Sequence, residues 1–160
     1  MPALLKQLTP PTTFRSAIFK SLYKLSEVLM DNTEKEIWDF LDRHLTSIFT
    51  QDIETYRTTT SPDLSLYEWF VAPHRMDGLE FHLFMIQNNW ANTAAAFRYD
   101  LLEPRLQHYG DTAIASYTFM LTMAGREGMN HKIHNESRVL VRQNGQWQVV
   151  HVHKSPAATT

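Results

Sequence analysis

Apolar residues recur every three or four positions in the first part of this chain and every second position in the last part, which separates a helical half from a sheet half. Phe14, Ile18, Leu22, Leu25 and Leu29 lay out one amphipathic stripe after Pro10-Pro11. Asp31-Asn32 interrupts it. Thr33 with Glu36 then reads as a capping box, and Ile37, Phe40, Leu41, Leu45 and Ile48 form a second stripe ending near Thr50. A short turn of helix is expected over 52–56, a strand over 64–70, a loop over 71–78 and a short apolar helix over 79–90. Strands are expected at 94–109, 112–124, 129–143 and 146–154, separated by Gly110-Asp111, the Gly125 to Gly128 segment and Asn144-Gly145. Helices followed by a long meander predict an α+β fold. Its form is a cone-shaped, curved antiparallel sheet with helices packed on the concave face, plus an extra N-terminal helix. Residues 1–32 read as the helical extension and 33–160 as one domain, with the open end of the cone as its pocket.

The last hairpin carries the candidate chemistry. Asn144-Gly145 suits a two-residue type I′ turn, because both central positions need positive φ. Counting outward sets Leu140 opposite Val149, Arg138 opposite His151 and Glu136 opposite His153. Period-two alternation then projects His134, Glu136, Arg138, His151 and His153 from one face. Glu136 and Arg138 read equally as a cross-strand ion pair or as ligands. His151 and His153 have the spacing of a chelating pair, but two residues alone are weak grounds, and no metal is assigned. Glu68 is expected to point into the cone, either as the partner of a nearby Arg or His or as a base whose pKa burial raises. His82, between Phe81 and Leu83, reads as a core histidine or a pocket one.

Composition narrows the function. A content of 43% hydrophobic and 12% aromatic residues in 160 supports one real core, and a net charge of −2 offers no field for nucleic acid or an anionic membrane. No apolar run approaches the roughly 18 residues of a membrane span. Without cysteine there are no disulfides or thiolates, which fits the cytoplasm. Lys6, Arg15, Lys20 and Lys24 precede the first acid, Glu27, so an organelle transit peptide stands beside the helix reading of the amino end. The basic stripe from Phe14 to Met30 also has the form of a calmodulin target, although nothing here gives calmodulin anything to release. The Gly-rich loop, His-Arg-Asp run and Asp-Phe-Gly metal ligand of a kinase are all missing.

Three blocks carry a resemblance: DLSLYEWF at 63–70, MDGLEFHLFMIQN at 76–88 and ESRVLVRQNGQWQVVHVHKS at 136–155. In order and spacing the chain from Glu34 to Pro156 resembles the association, or hub, domain of calcium/calmodulin-dependent protein kinase II, within the nuclear-transport-factor-2-like superfamily. The resemblance implies dimers that assemble into closed rings, a possible kinase-type partner, no cofactor, and a pocket lined by His82, Arg138 and Lys154. A further family arginine falls at Phe119, beside Tyr117, which removes one bidentate ligand for an anion. An uninterrupted ladder would turn Lys154 away from Arg138, so both line one pocket only if a bulge intervenes near His151 to His153. The implied pocket is electropositive and takes a small carboxylate. Trp147 and Tyr117 are expected on exposed sheet positions that self-association covers. A stand-alone homo-oligomerisation module is the reading favoured. The alternative is a pocket enzyme of the ketosteroid isomerase or polyketide cyclase type, with Glu68 or a histidine moving a proton and Arg138 stabilising an oxyanion.

Overall fold

The computed structural model describes residues 32–90, 96–125 and 128–157, the side chains of 89 and 90 excepted. The expected helix over Phe14 to Leu29 lies outside the described residues. The chain divides into two compact units, Met1–Glu36 and Ile37–Thr160. Helix α1 covers 32–50, so it already includes Asn32, and Thr33 lies within it rather than capping it. Its stripe is buried throughout: Ile37, Phe40, Leu41, Leu45 and Ile48 all belong to the core. Helix α2, Ile53–Thr59, is longer than the expected turn and starts under Asp52, whose carboxylate accepts from the Thr55 amide at 3.0 Å. Helix α3, Leu79–Met85, passes into a π-helical turn, Ile86–Trp90.

Six strands follow the alternation: β1 Thr60–Glu68, β2 Met76–Asp77, β3 Ala96–Tyr109, β4 Thr112–Gly125, β5 Gly128–Gln143 and β6 Gln146–Pro156. They lie in the order β2-β1-β6-β5-β4-β3 in one curved sheet that does not close. The all-antiparallel expectation needs one correction, since β1 pairs with β6 in parallel. That pair joins segments remote in sequence, and local patterning carries no record of it. The short β2 occupies part of what reads as loop.

Strand β4 shows why the sheet has two faces. Its buried positions are the odd ones, Ala113 to Leu121, while the even ones are half-buried. These odd residues share one core with the α1 stripe, Tyr56, Leu64, Leu66, Leu79, Leu83 and the inward residues of β5 and β6. Tyr117 and Trp147 are therefore buried, contrary to expectation. The tight turn, with φ of 52° at Asn144 and 78° at Gly145, gives Trp147 the same parity as Val149, whose side chain is fully inside. The Arg142 guanidinium covers its ring at 4.7 Å. On the edge strand β3, Glu103 at φ 49° and a register shift between Leu102 and Arg105 place Pro104 in a bulge, where its missing N–H costs no ladder bond.

Candidate functional site

One skipped residue in β6 builds the site. Leu140 pairs with Val149 as the turn dictates, but Val139 pairs with His151, so Val150 is bulged out of the ladder. From there on Arg138 lies opposite Val152 and Glu136 opposite Lys154. The correction is exact in parity: Lys154 moves to the inner face, while His151 and His153 turn to the outer one. Outside, His151 Nδ1 meets Ser65 Oγ at 2.7 Å, and His153 lines a shallow groove with Tyr67, Trp69 and Pro73. They are thus separated from His134 and Glu136, and no cluster of three metal-ligating side chains exists among the described residues.

The inner face gathers Glu68 from β1, His82 from α3, Tyr117 and Phe119 from β4, His134, Glu136 and Arg138 from β5, and Lys154 from β6, all buried. Glu136 is the hub of one half. Its Oε2 accepts from Arg138 Nε at 3.0 Å and from Tyr117 Oη at 2.9 Å, and its Oε1 accepts from His134 Nε2 at 2.7 Å. Arg138 Nε also donates to Tyr117 Oη at 2.8 Å. In the other half the Lys154 ammonium contacts Glu68 Oε1, the His82 ring nitrogen Nε2 stands 3.7 Å from the same oxygen, and Tyr56 Oη bonds to His82 Nδ1. Lys154 Nζ lies 3.7 Å from Glu136 Oε1 and so links the halves.

Two groups in this network escaped the sequence reading. Arg138 Nη1 reaches His44 Nε2 at 3.1 Å, and a guanidinium only donates, so His44 accepts there and donates from Nδ1 to Thr59 Oγ1 at 2.9 Å. His44 occupies the apolar stripe of α1, three residues after Leu41 and four before Ile48, which is the signal that identifies it. Tyr56 occupies the buried side of α2 in the same way.

Protonation follows from this packing. Burial, with Arg138 beside it, holds the His44 pKa well below the ordinary imidazole value. Burial likewise lowers His82, against the opposing pull of Glu68. For Glu68 burial pushes upward, but Lys154 and His82 outweigh it and bring the carboxyl to about 2. Of the two readings of Glu68, the geometry matches the paired carboxylate, here with Lys154 and His82, and not a base whose pKa is raised. Glu136 is also held well below the carboxylate range, burial being outweighed by Arg138 and Lys154. Two carboxylates thus face two cations, and the cluster is charge-balanced rather than electropositive.

Two spaces border it, the groove of about 410 Å³ that Glu68 and Lys154 share with His153, and a smaller one within. A cavity of about 30 Å³, bounded by Leu45, Phe49, Phe119, His134 and Arg138, has room for roughly two waters. Phe119 walls it, stacked on Tyr99 at 5.4 Å and on Phe49 at 6.0 Å.

A family model for the calcium/calmodulin dependent protein kinase II association domain matches residues 33–158. The chain belongs to this family. It is 30% identical over 118 residues to a calcium/calmodulin-dependent protein kinase type II of Caenorhabditis elegans, covering 72% of this chain and 16% of that protein. Against the solved association domain of the C. elegans kinase the TM-score is 0.70 at 27% identity, covering 78% of this chain and 96% of that one. A hub from S. rosetta gives a TM-score of 0.68 at 28% identity, covering 77% and 95%. Neighbours named for ketosteroid isomerase and dehydratase activities share 16% and 15% identity and show the fold alone. The chain spans less than a third of the length of the curated relatives it matches. Among the described residues no helix is long and apolar enough to cross a membrane.

Proposed function

We propose that this chain is an association module that assembles with copies of itself, in dimers and then a larger even-numbered ring, and that its buried cluster is a regulatory pocket rather than a catalytic one. Membership of the association-domain family over residues 33–158 is the observation that carries this reading. The cluster supports it from the chemical side. A Glu68 carboxyl at about 2 is too weak a base to serve near neutral pH, and every charged group in the cluster already has a counter-charge. A kinase-type partner and a cytoplasmic location belong to the same proposal. So does the division into an extension at 1–32 and an association domain from 33.

The pocket is proposed to take a small carboxylate weakly, through Arg138 and Lys154 with His82. Because Glu136 and Glu68 already neutralise both cations, an incoming anion needs a proton to come with it. Its affinity therefore rises as pH falls from 7.5 to 6. Calorimetry with a panel of small carboxylates at low salt measures this, and Lys154→Gln, read at a temperature where near-UV circular dichroism shows it still folded, removes most of the heat. Absence of heat at both pH values eliminates the anion and leaves the assembly reading, which rests on native mass.

A further inference from the structure

The outward face of the sheet is free of formal charge along β4, β5, β6 and the paired part of β1. On β4 the outward residues run from Thr112 through Ile114, Ser116 and Thr118 to Met120, and on β5 from Met129 to Val141 at odd positions. On β6 they are Gln148, His151, His153 and Ser155, and on the paired part of β1 Ser65 and Tyr67. None of these is Lys, Arg, Asp or Glu, in a chain with 20% charged residues. Charges return at Asp63 in the irregular first part of β1, at β2 with Asp77 and its partner Arg75, and on β3 with Arg98, Asp100 and Arg105. Depletion of charge is the mark of an interface core. Four strands about 4.8 Å apart and some 11 residues long cover roughly 700 Å², close to the ~800 Å² per partner of a standard interface.

The titratable groups on this face are histidines, apart from Tyr67. His151 bonds to Ser65 and His153 lies against the Tyr67 ring at 5.4 Å, both near the middle, while His131 bonds to Thr122 Oγ1 at 2.9 Å near one end. Across from His151 and His153 on β5 stand Val139 and Ser137, and on β1 Ser65 and Tyr67. Asp77, opposite Ser65 on β2, is engaged by Arg75, and Asp63, exposed on β1 two residues before Ser65, accepts from Ser61 Oγ. Neither histidine therefore faces an unengaged acid on a packed element.

We propose that this face is a proton-gated contact between two copies of the chain, closed while His151 and His153 are neutral and opened when they are protonated. A twofold contact buries each face against its own copy, so protonation places four imidazolium charges in an interface whose bordering carboxylates, Asp63 and Asp77, are already engaged by Ser61 and Arg75. Burial and the neighbouring His153 lower the His151 pKa even in the single chain, in keeping with a group better accommodated neutral.

The inference rests on the self-association reading, and native mass separates the two. A mass of one chain at pH 7.5 defeats both. An oligomer at pH 7.5 that keeps its mass at pH 5.5, with near-UV circular dichroism unchanged, leaves self-association standing and overturns the gate. The expected result is at least a tenfold weaker association at pH 5.5. The double variant His151→Gln/His153→Gln should hold its oligomer at both pH values, and if it dissociates as the parent does, the sensor is elsewhere and the proposal fails. Ser137→Lys, which charges the same face without touching a histidine, should dissociate the protein at pH 7.5. An intact oligomer there removes the face itself.

Discussion

Arg138 is the largest fully buried side chain in the described structure, and it remains inside because four neighbours answer its charge or its donors: Glu136, Tyr117, His44 and, through Glu136, His134. Removing one partner of such a pair strands the other, which typically costs about 3–5 kcal/mol. Glu136→Gln is therefore expected to destabilise the fold by that order in urea unfolding, whereas Glu136→Gln combined with Arg138→Met costs less than the sum of the single changes. Additive costs would show that the two do not act as a pair. The buried histidines set a pH limit. The His44 and His82 pKa values are depressed in the fold, so the unfolded chain takes up protons first, below about 6.5, and stability falls from there. Each contributes a slope of at most about 1.4 kcal/mol per pH unit. Glu68, at about 2, adds its own loss only as pH drops through about 4.5 toward 2. Thermal melting between pH 7.5 and 5.5 is expected to fall, and His44→Gln should flatten the decline. A flat profile in the parent would contradict the neutral, buried assignment.

At the level of elements, β6 decides where the chemistry lies. Alternation, the Asn144-Gly145 turn and the α1 stripe were all legible in the sequence, because each is a local rule obeyed locally. The side of β6 on which each residue beyond Val149 falls was not, since it turns on a single bulged residue, Val150, and no residue type at that position announces it. That one residue supplies the bulge on which the resemblance's placing of Lys154 beside Arg138 depended, and it turns His151 and His153 out of the site. The same parity argument explains Tyr117 and Trp147: their aromatic character invited a surface reading, and their register places them inside. Brief acylation of the native protein followed by peptide mass mapping tests the register, because Lys132 is exposed and Lys154 buried. Lys132 should react at least tenfold faster. Equal rates would return Lys154 to the outer face.

For the molecule as a whole, the architecture sorts polar groups by side. Charges inside are few, paired and enclosed by helices and sheet, whereas the outward face of β4, β5, β6 and the paired part of β1 carries none, and other charged residues lie on the helices and at the margins of the sheet. A monomer gains little from keeping so broad a face uncharged, while a self-associating domain needs it. The parallel β1–β6 pair gives that face its width, and it was invisible in the sequence because it joins segments more than eighty residues apart, Ser65 to His151. The three motif blocks nevertheless sufficed for the family, since strand, helix and final hairpin each kept their side-chain pattern. Self-association is the claim on which the rest depends, and native mass spectrometry of the full chain at micromolar concentration and pH 7.5 tests it most directly. The account predicts an even multiple of 18.7 kDa, and a single species at 18.7 kDa would contradict it.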